Sequence, residues 1–135
     1  MTVLVDSNVI LDVLTGNSHW AGWSSSALAE ASDRGRVVIN QIIFAEVSPR
    51  YETIAALDIA LPPSLFVREQ IPFEGAFLAG KAFLLYRSRG GERRAPIADF
   101  YIGAHASVAG YHLLTRDAAR YRSYFPQLAL ITPST

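Results

Sequence analysis

Val3-Leu4-Val5-Asp6-Ser7-Asn8-Val9-Ile10-Leu11 is the stretch on which the reading of the fold turns. Three apolar residues in a row, with no polar alternation, describe a strand buried on both faces, the pattern of a parallel sheet. Asp6-Ser7-Asn8 are residues that start helices. Val9, Ile10, Leu11, Val13 and Leu14 continue an apolar helix that Gly16-Asn17 stops. The strand therefore turns straight into a helix and leaves Asp6 at its carboxyl end.

The same alternation repeats down the chain. His19–Arg34 reads as a helix ended by Gly35, and Val37-Val38-Ile39 as a second buried strand. Ile42–Val47 begins a helix broken at Pro49, Glu52–Leu61 continues it, and Pro62-Pro63 ends it. Leu65-Phe66-Val67 reads as an edge strand and Phe73–Arg87 as a long amphipathic helix. Ser88–Arg94 is a charged loop around Gly90-Gly91. Ile97–Ala109 is a helix with Pro96 before it and Gly110 after it. Tyr111–Leu114 (strand), Asp117–Tyr124 (helix) and Leu128–Ile131 (strand) follow. Strands alternating with helices predict an α/β fold, a central parallel sheet with helices on both faces. With no repeat or linker, residues 1–135 read as one domain.

Composition narrows the chemistry. Half of the 135 residues are hydrophobic and 18 % are charged, below the ~25 % of an average globular chain, so a core is expected and disorder is not. With no cysteine, disulfides, thiolate zinc sites and cysteine nucleophiles are excluded. No apolar run approaches the ~18 residues of a membrane span. The N-terminus lacks a basic stretch and a signal-length apolar run, and a cytoplasmic setting is expected. Twelve basic residues balance twelve acidic ones, and eleven of the twelve are Arg. That bias fits either a nucleic-acid partner, since Arg binds phosphate bidentately and stacks on bases, or GC-rich coding.

Four carboxylates fall where open α/β sheets bind ligands, beyond the carboxyl ends of strands. Asp6 follows the first strand, and Asp117 follows Tyr111–Leu114 through Thr115-Arg116. Each alone is also a good helix N-cap. Glu46 lies inside the apolar helix Ile42–Val47, where a carboxylate is costly unless paired or metal-bound. Arg50, four residues on, offers an ordinary salt bridge. Asp99 sits in the first turn of its helix, where the macrodipole favours it. Its neighbours at i+4 and i+7 are Gly103 and Ala106, a small face that leaves room for a ligand. Clustered carboxylates repel and their pKa values rise, while Mg²⁺ prefers such oxygen ligands. With these four acids set aside, twelve basic residues face eight acidic ones, a net +4.

The chain resembles the PIN domain, and within it the VapC-type toxins of toxin–antitoxin pairs. The resemblance rests on Val3–Asp12 with Asp6-Ser7-Asn8, Asn40–Val47 with Glu46, Ala95–Ala106 with Asp99, Leu113–Tyr121 with Asp117 and the ending Pro126–Pro133, in family order over nearly the whole length. Ser7 stands where many members have Thr. The resemblance implies a Mg²⁺- or Mn²⁺-dependent endoribonuclease with Asp6, Glu46, Asp99 and Asp117 as catalytic metal ligands. Asn8 and Thr115 are the implied supporting residues. It implies hydrolysis by a metal-activated water to 5′-phosphate and 3′-hydroxyl ends, an RNA substrate, a VapB-type antitoxin partner and a homodimer. A housekeeping PIN ribonuclease and a silent RNA- or protein-binding module are the alternatives. A haloacid-dehalogenase-like phosphatase would need a second Asp where Asn8 stands.

Arg87, Arg89, Arg93 and Arg94 form the densest basic cluster, which either tracks an RNA backbone or is a solvated charge run. Arg116, beside Asp117, either contacts phosphate or pairs with an acid. His19, His105 and His112 are scattered and read as structural. Asp12 reads as a surface or supporting residue. Trp20, Trp23, Phe44, Tyr51, Phe73, Phe77 and Phe83 sit at helical spacings and read as core.

Overall fold

The computed structural model describes residues 1–91 and 97–133. The elements run β1 (Thr2–Val5), α1 (Ser7–Thr15), α2 (Ala21–Arg34), β2 (Arg36–Ile39), α3 (Gln41–Val47), α4 (Ile54–Ala60) and β3 (Phe66–Arg68). They continue with α5 (Phe73–Ser88), α6 (Ile97–Ala109), β4 (His112–Leu114), α7 (Ala118–Tyr124) and β5 (Leu130–Ile131). A 3-10 turn at Ser48–Arg50 joins α3 to α4 where Pro49 interrupts the helix.

The five strands form one parallel sheet in the order β3-β2-β1-β4-β5. β1 is central, and its residues Val3, Leu4 and Val5 are fully buried, as the unbroken apolar run predicts. Val3 pairs with Val37 on one side and with His112 on the other. The chain builds outward from β1 to β3, then crosses back to lay down β4 and β5. Strand order reverses at the β1–β4 boundary, and the crevice at such a reversal is where α/β sheets bind ligands. Right-handed crossovers place the helices of the two halves on opposite faces of the sheet.

Gly16, at φ 64°, ends α1 in the left-handed conformation. Gly35 has a different reason to be glycine. A Cβ there would lie 1.9 Å from the Met1 carbonyl oxygen, so the start of β1 can approach only a bare backbone.

Two sequence expectations need correction. Trp23, Phe44, Tyr51 and Phe83 pack against the core, but Phe73 and Phe77 are 91 % and 68 % exposed. They share one face of α5 that no part of the described chain covers. Asp12 is buried, because Arg116 and Ser24 both reach it.

Candidate active site

The end of β1 and the end of β4 are joined by the Asp6 amide, which donates to the Leu114 carbonyl oxygen at 2.9 Å. That bond carries the β1–β4 ladder one residue past β1 and brings Asp6 beside Thr115. Asp6 Oδ2 accepts from the Thr115 hydroxyl at 2.8 Å, from the Tyr121 hydroxyl at 3.0 Å and from Asn8 Nδ2 at 3.4 Å. Thr115 Oγ1 in turn accepts from Asn8 Nδ2 at 3.3 Å and from the Asp117 amide at 3.0 Å. Asn8 Oδ1 accepts from the Arg116 amide at 3.2 Å. The first turn of α1 and the Thr115–Asp117 segment are thus laced together around one carboxylate.

Capping does not account for Asp6 or Asp117. Both hold N-cap positions, yet neither side chain accepts from the helix that follows. An Asp that forgoes so favourable a bond is held by something else, and for Asp6 that is Thr115, Tyr121 and Asn8. Glu46 makes no described ion pair with Arg50. Instead Ser7 Oγ donates to Glu46 Oε1 at 2.9 Å. α3 buries Ile43 and Val47 one turn apart and presents Glu46 beside that stripe, toward the start of α1. Asp99, in the first turn of α6, pairs with Arg120 at 2.8 Å and lies 3.5 Å from the Tyr121 hydroxyl.

The four acids are electrostatically one group. Asp6 is 3 % exposed, and burial pushes its carboxyl up to about 6 against the help of Thr115, with the charges of Asp99 and Glu46 adding to the rise. Burial also raises Glu46, offset in part by Ser7 and reinforced by Asp99. Burial raises Asp99 too, opposed by Arg120 and reinforced by Asp117. The phenol of Tyr121 is raised by its own burial and by Asp6 and Asp99. It has one proton and faces two carboxylates, so it donates to Asp6 or to Asp99 but never to both.

As they lie, no three acidic or imidazole side chains among the described residues are placed to grip one ion. The chemistry of the donors nevertheless suits a hard dication. All are carboxylate oxygens, Asp6 is buried with Glu46 and Asp99 half-buried, and their mutual repulsion is the penalty that a cation removes.

Several residues stand elsewhere than the sequence suggests. The small face of α6 does not leave ligand space: a Cβ on Gly103 would lie 2.5 Å from Phe125 and 3.0 Å from Tyr121. Glycine there lets α7 close onto α6 and sets Tyr121 between Asp6 and Asp99. Gly103→Ala is accordingly expected to destabilise by about 1–3 kcal/mol through overpacking and to shift Tyr121. A lowered denaturation midpoint checks the first effect, and altered Tyr121 ring resonances check the second.

Arg116 turns away from solvent to form a bidentate pair with Asp12, 2.5 Å at Nε and 3.0 Å at Nη2, with Trp20 against its guanidinium at 5.0 Å. Arg87 belongs to the last turn of α5, and Arg89 just beyond lies over the Tyr124 ring at 5.2 Å. Arg93 and Arg94 lie outside the described residues. Tyr121 and Arg120 are site residues that the sequence reading misses. Their signal was there, since both stand one helical turn after Asp117.

Thirty solved chains share this fold. A chain of VapBC2 from Rickettsia felis, bound to a promoter DNA fragment, superposes with a TM-score of 0.75 at 16 % identity, covering 99 % of this chain and 100 % of that one. A chain of VapBC-1 from nontypeable Haemophilus influenzae gives 0.74 at 17 %, with 98 % of each covered. VapC20 of Mycobacterium tuberculosis, described as a sarcin–ricin-loop-cleaving toxin, gives 0.63 at 18 %, covering 90 % of this chain and 94 % of that one. At such identities the likeness shows the fold alone. No curated protein matches by sequence. Among the described residues, no helix is long and apolar enough to cross a membrane. The PIN domain family matches residues 3–125, nearly the whole length, and with acids at the ends of β1 and β4 of a parallel sheet the chain belongs to the PIN domain family.

Proposed function

We propose that the chain is a divalent-metal-dependent endoribonuclease, the toxin of a VapBC-type pair acting in the cytoplasm. The observation that carries this reading is the convergence of acids at the strand-order reversal, where the Tyr121 hydroxyl faces both Asp6 and Asp99 and Ser7 ties Glu46 to the start of α1, with burial first, and neighbouring carboxylates after it, raising Asp6, Glu46 and Asp99. Among the four carboxylates from β1, α3, α6 and the turn before α7, Arg120 on Asp99 is the one described cationic partner, so most of their charge is unmatched by the fold. Asp6, Glu46, Asp99 and Asp117 are the proposed ligands of Mg²⁺ or Mn²⁺. A bound ion of that kind neutralises phosphate charge and makes water more acidic.

The chain's own side chains do the positioning. Asn8 and Thr115 aim Asp6, Ser7 aims Glu46, and Arg120 aims Asp99. Asp117 is exposed and is the ligand nearest to incoming substrate. Arg87 and Arg89, both exposed, are proposed to meet the RNA backbone, whose phosphates dominate such binding. Arg116 is already occupied by Asp12 and is read as a strut. The toxin–antitoxin character of structurally similar proteins supports a VapB-type antitoxin as partner, and the family resemblance implies a homodimer as the working unit.

The test incubates purified, partner-free protein with structured cellular RNAs in Mg²⁺, Mn²⁺ or EDTA, beside Asp99→Asn. Discrete fragments that need metal and vanish in the variant are expected. Cleavage that persists in EDTA or in Asp99→Asn would overturn the carboxylate mechanism.

A further inference from the structure

α3 is seven residues long, and its N-terminus is closed by Asn40, whose Oδ1 accepts from the Ile43 amide at 3.0 Å. This bond fixes which way the Asn40 amide points, because a reversed amide would set its NH₂ against the Ile43 N–H. Asn40 Nδ2 is therefore the end that faces His105 Nδ1, 3.0 Å away. A donor at that place requires Nδ1 to accept, so His105 carries its proton on Nε2. Nε2 lies 3.8 Å from Glu69 Oε1. Glu69 is held by the Tyr111 hydroxyl at 2.7 Å and by Arg36. His105 and Asn40 are 1 % and 2 % exposed, so neither can replace its partner with water.

The relay runs from α6 to α3, the two helices that carry Asp99 and Glu46. So short a helix has few internal bonds to hold its direction, and its cap is a large share of what orients it. We propose that His105 is a positioning residue for Glu46: by accepting from Asn40 it locks the amide that caps α3, and so sets where Glu46 stands relative to Asp99. This rests on the metal-site reading above.

Two variants separate the acceptor from the mere volume of the ring. His105→Asn offers a side-chain oxygen near the place of Nδ1, and His105→Leu fills the space without one. Three quantities are read in metal-free protein: the His105 tautomer by ¹⁵N resonances, exchange of the Ile43 amide, and the nuclear Overhauser contact between Ser7 and Glu46. Mn²⁺ affinity is read by calorimetry. The expected result is the Nε2–H tautomer in the wild type. His105→Leu should exchange Ile43 on the order of tenfold faster, weaken the Ser7–Glu46 contact and lose about tenfold in Mn²⁺ affinity. His105→Asn should stay near the wild type in all of them. A protonated Nδ1, equal Ile43 protection in all three proteins, or an Asn variant that behaves like Leu would overturn the proposal. If the wild type binds no Mn²⁺, the metal reading fails by itself, and Ile43 exchange with the Ser7–Glu46 contact still decides the positioning claim.

Discussion

Asp6→Asn is expected to lose RNA cleavage and gain stability in the same molecule. The two effects have one cause. Asp6 is buried, and its carboxyl is raised from 3.8 to about 6, first by burial. A carboxyl with a raised folded-state pKa binds protons more tightly folded than unfolded. Its ionisation therefore subtracts stability progressively as pH climbs from about 4 to 6, with the full loss above 6. That rise in pKa corresponds to about 3 kcal/mol, as an upper figure. Asn keeps an oxygen for the Thr115 and Tyr121 hydroxyls and carries no charge. In EDTA at pH 7 the variant should melt on the order of 10 °C higher than the wild type, and the gap should close near pH 4. Mg²⁺ should narrow it as well, by stabilising only the wild type. RNA cleavage should fall by about 10²–10³-fold, the usual cost of removing one charge-stabilising group from an active site. Calorimetric melts across pH, with and without Mg²⁺, check the first half. A variant no more stable than the wild type in EDTA would show that Asp6 is not held at an electrostatic cost.

Arg116→Met should be among the most destabilising single changes in the chain. It leaves the Asp12 carboxylate, 4 % exposed, with only the Ser24 hydroxyl at 2.7 Å. Removing one partner of a buried pair typically costs 3–5 kcal/mol, because the stranded charge cannot be solvated. Arg116 itself is 26 % exposed, so the lower end, about 3 kcal/mol, is expected. The reciprocal change is milder. In Asp12→Asn the guanidinium can turn to water, and Ser24 keeps its acceptor. Arg116 is also the middle residue of Thr115–Asp117, and its amide is tied to Asn8. Its loss should loosen Asp117 and weaken Mn²⁺ binding along with the fold. Urea denaturation of the two single variants and the double variant measures the coupling. Near-equal stability of wild type and Arg116→Met would return this arginine to the RNA-binding surface.

The two changes bracket how the site is built. The expected gain in Asp6→Asn would mark Asp6 as a charge held at a cost to the fold, the usual sign of a functional group rather than a structural one. At Asp12 a similar buried carboxylate is fully matched by Arg116, and the pair contributes order without chemistry. Burial alone would not tell them apart, since each is 3 % exposed. The partner does.

Much of this protein is legible in its sequence, for local reasons. Val3-Leu4-Val5 and Val37-Val38-Ile39 read as buried parallel strands because unbroken apolar runs suit only a sheet covered on both faces. Placing Asp6 and Thr115–Asp117 just past β1 and β4 followed from counting residues along the chain. Glu46 was conspicuous as a lone acid in an apolar helix. What the chain does next to itself in space was not legible. Helical spacing puts Phe73 and Phe77 on one face but does not say whether anything covers that face, and nothing in the described chain does. Gly103 reads as open space, yet it is filled by Phe125 and Tyr121 because α7 docks there. Asp12 meets Arg116 across 104 positions, and Tyr121 reaches Asp6 across 115. Local sequence therefore determined the elements and the ends at which acids stand, because hydrophobic period and helix-breaking residues act over a few positions. Which acid is left unmatched is a property of the assembled fold, because matching depends on partners that the strand order β3-β2-β1-β4-β5 brings together.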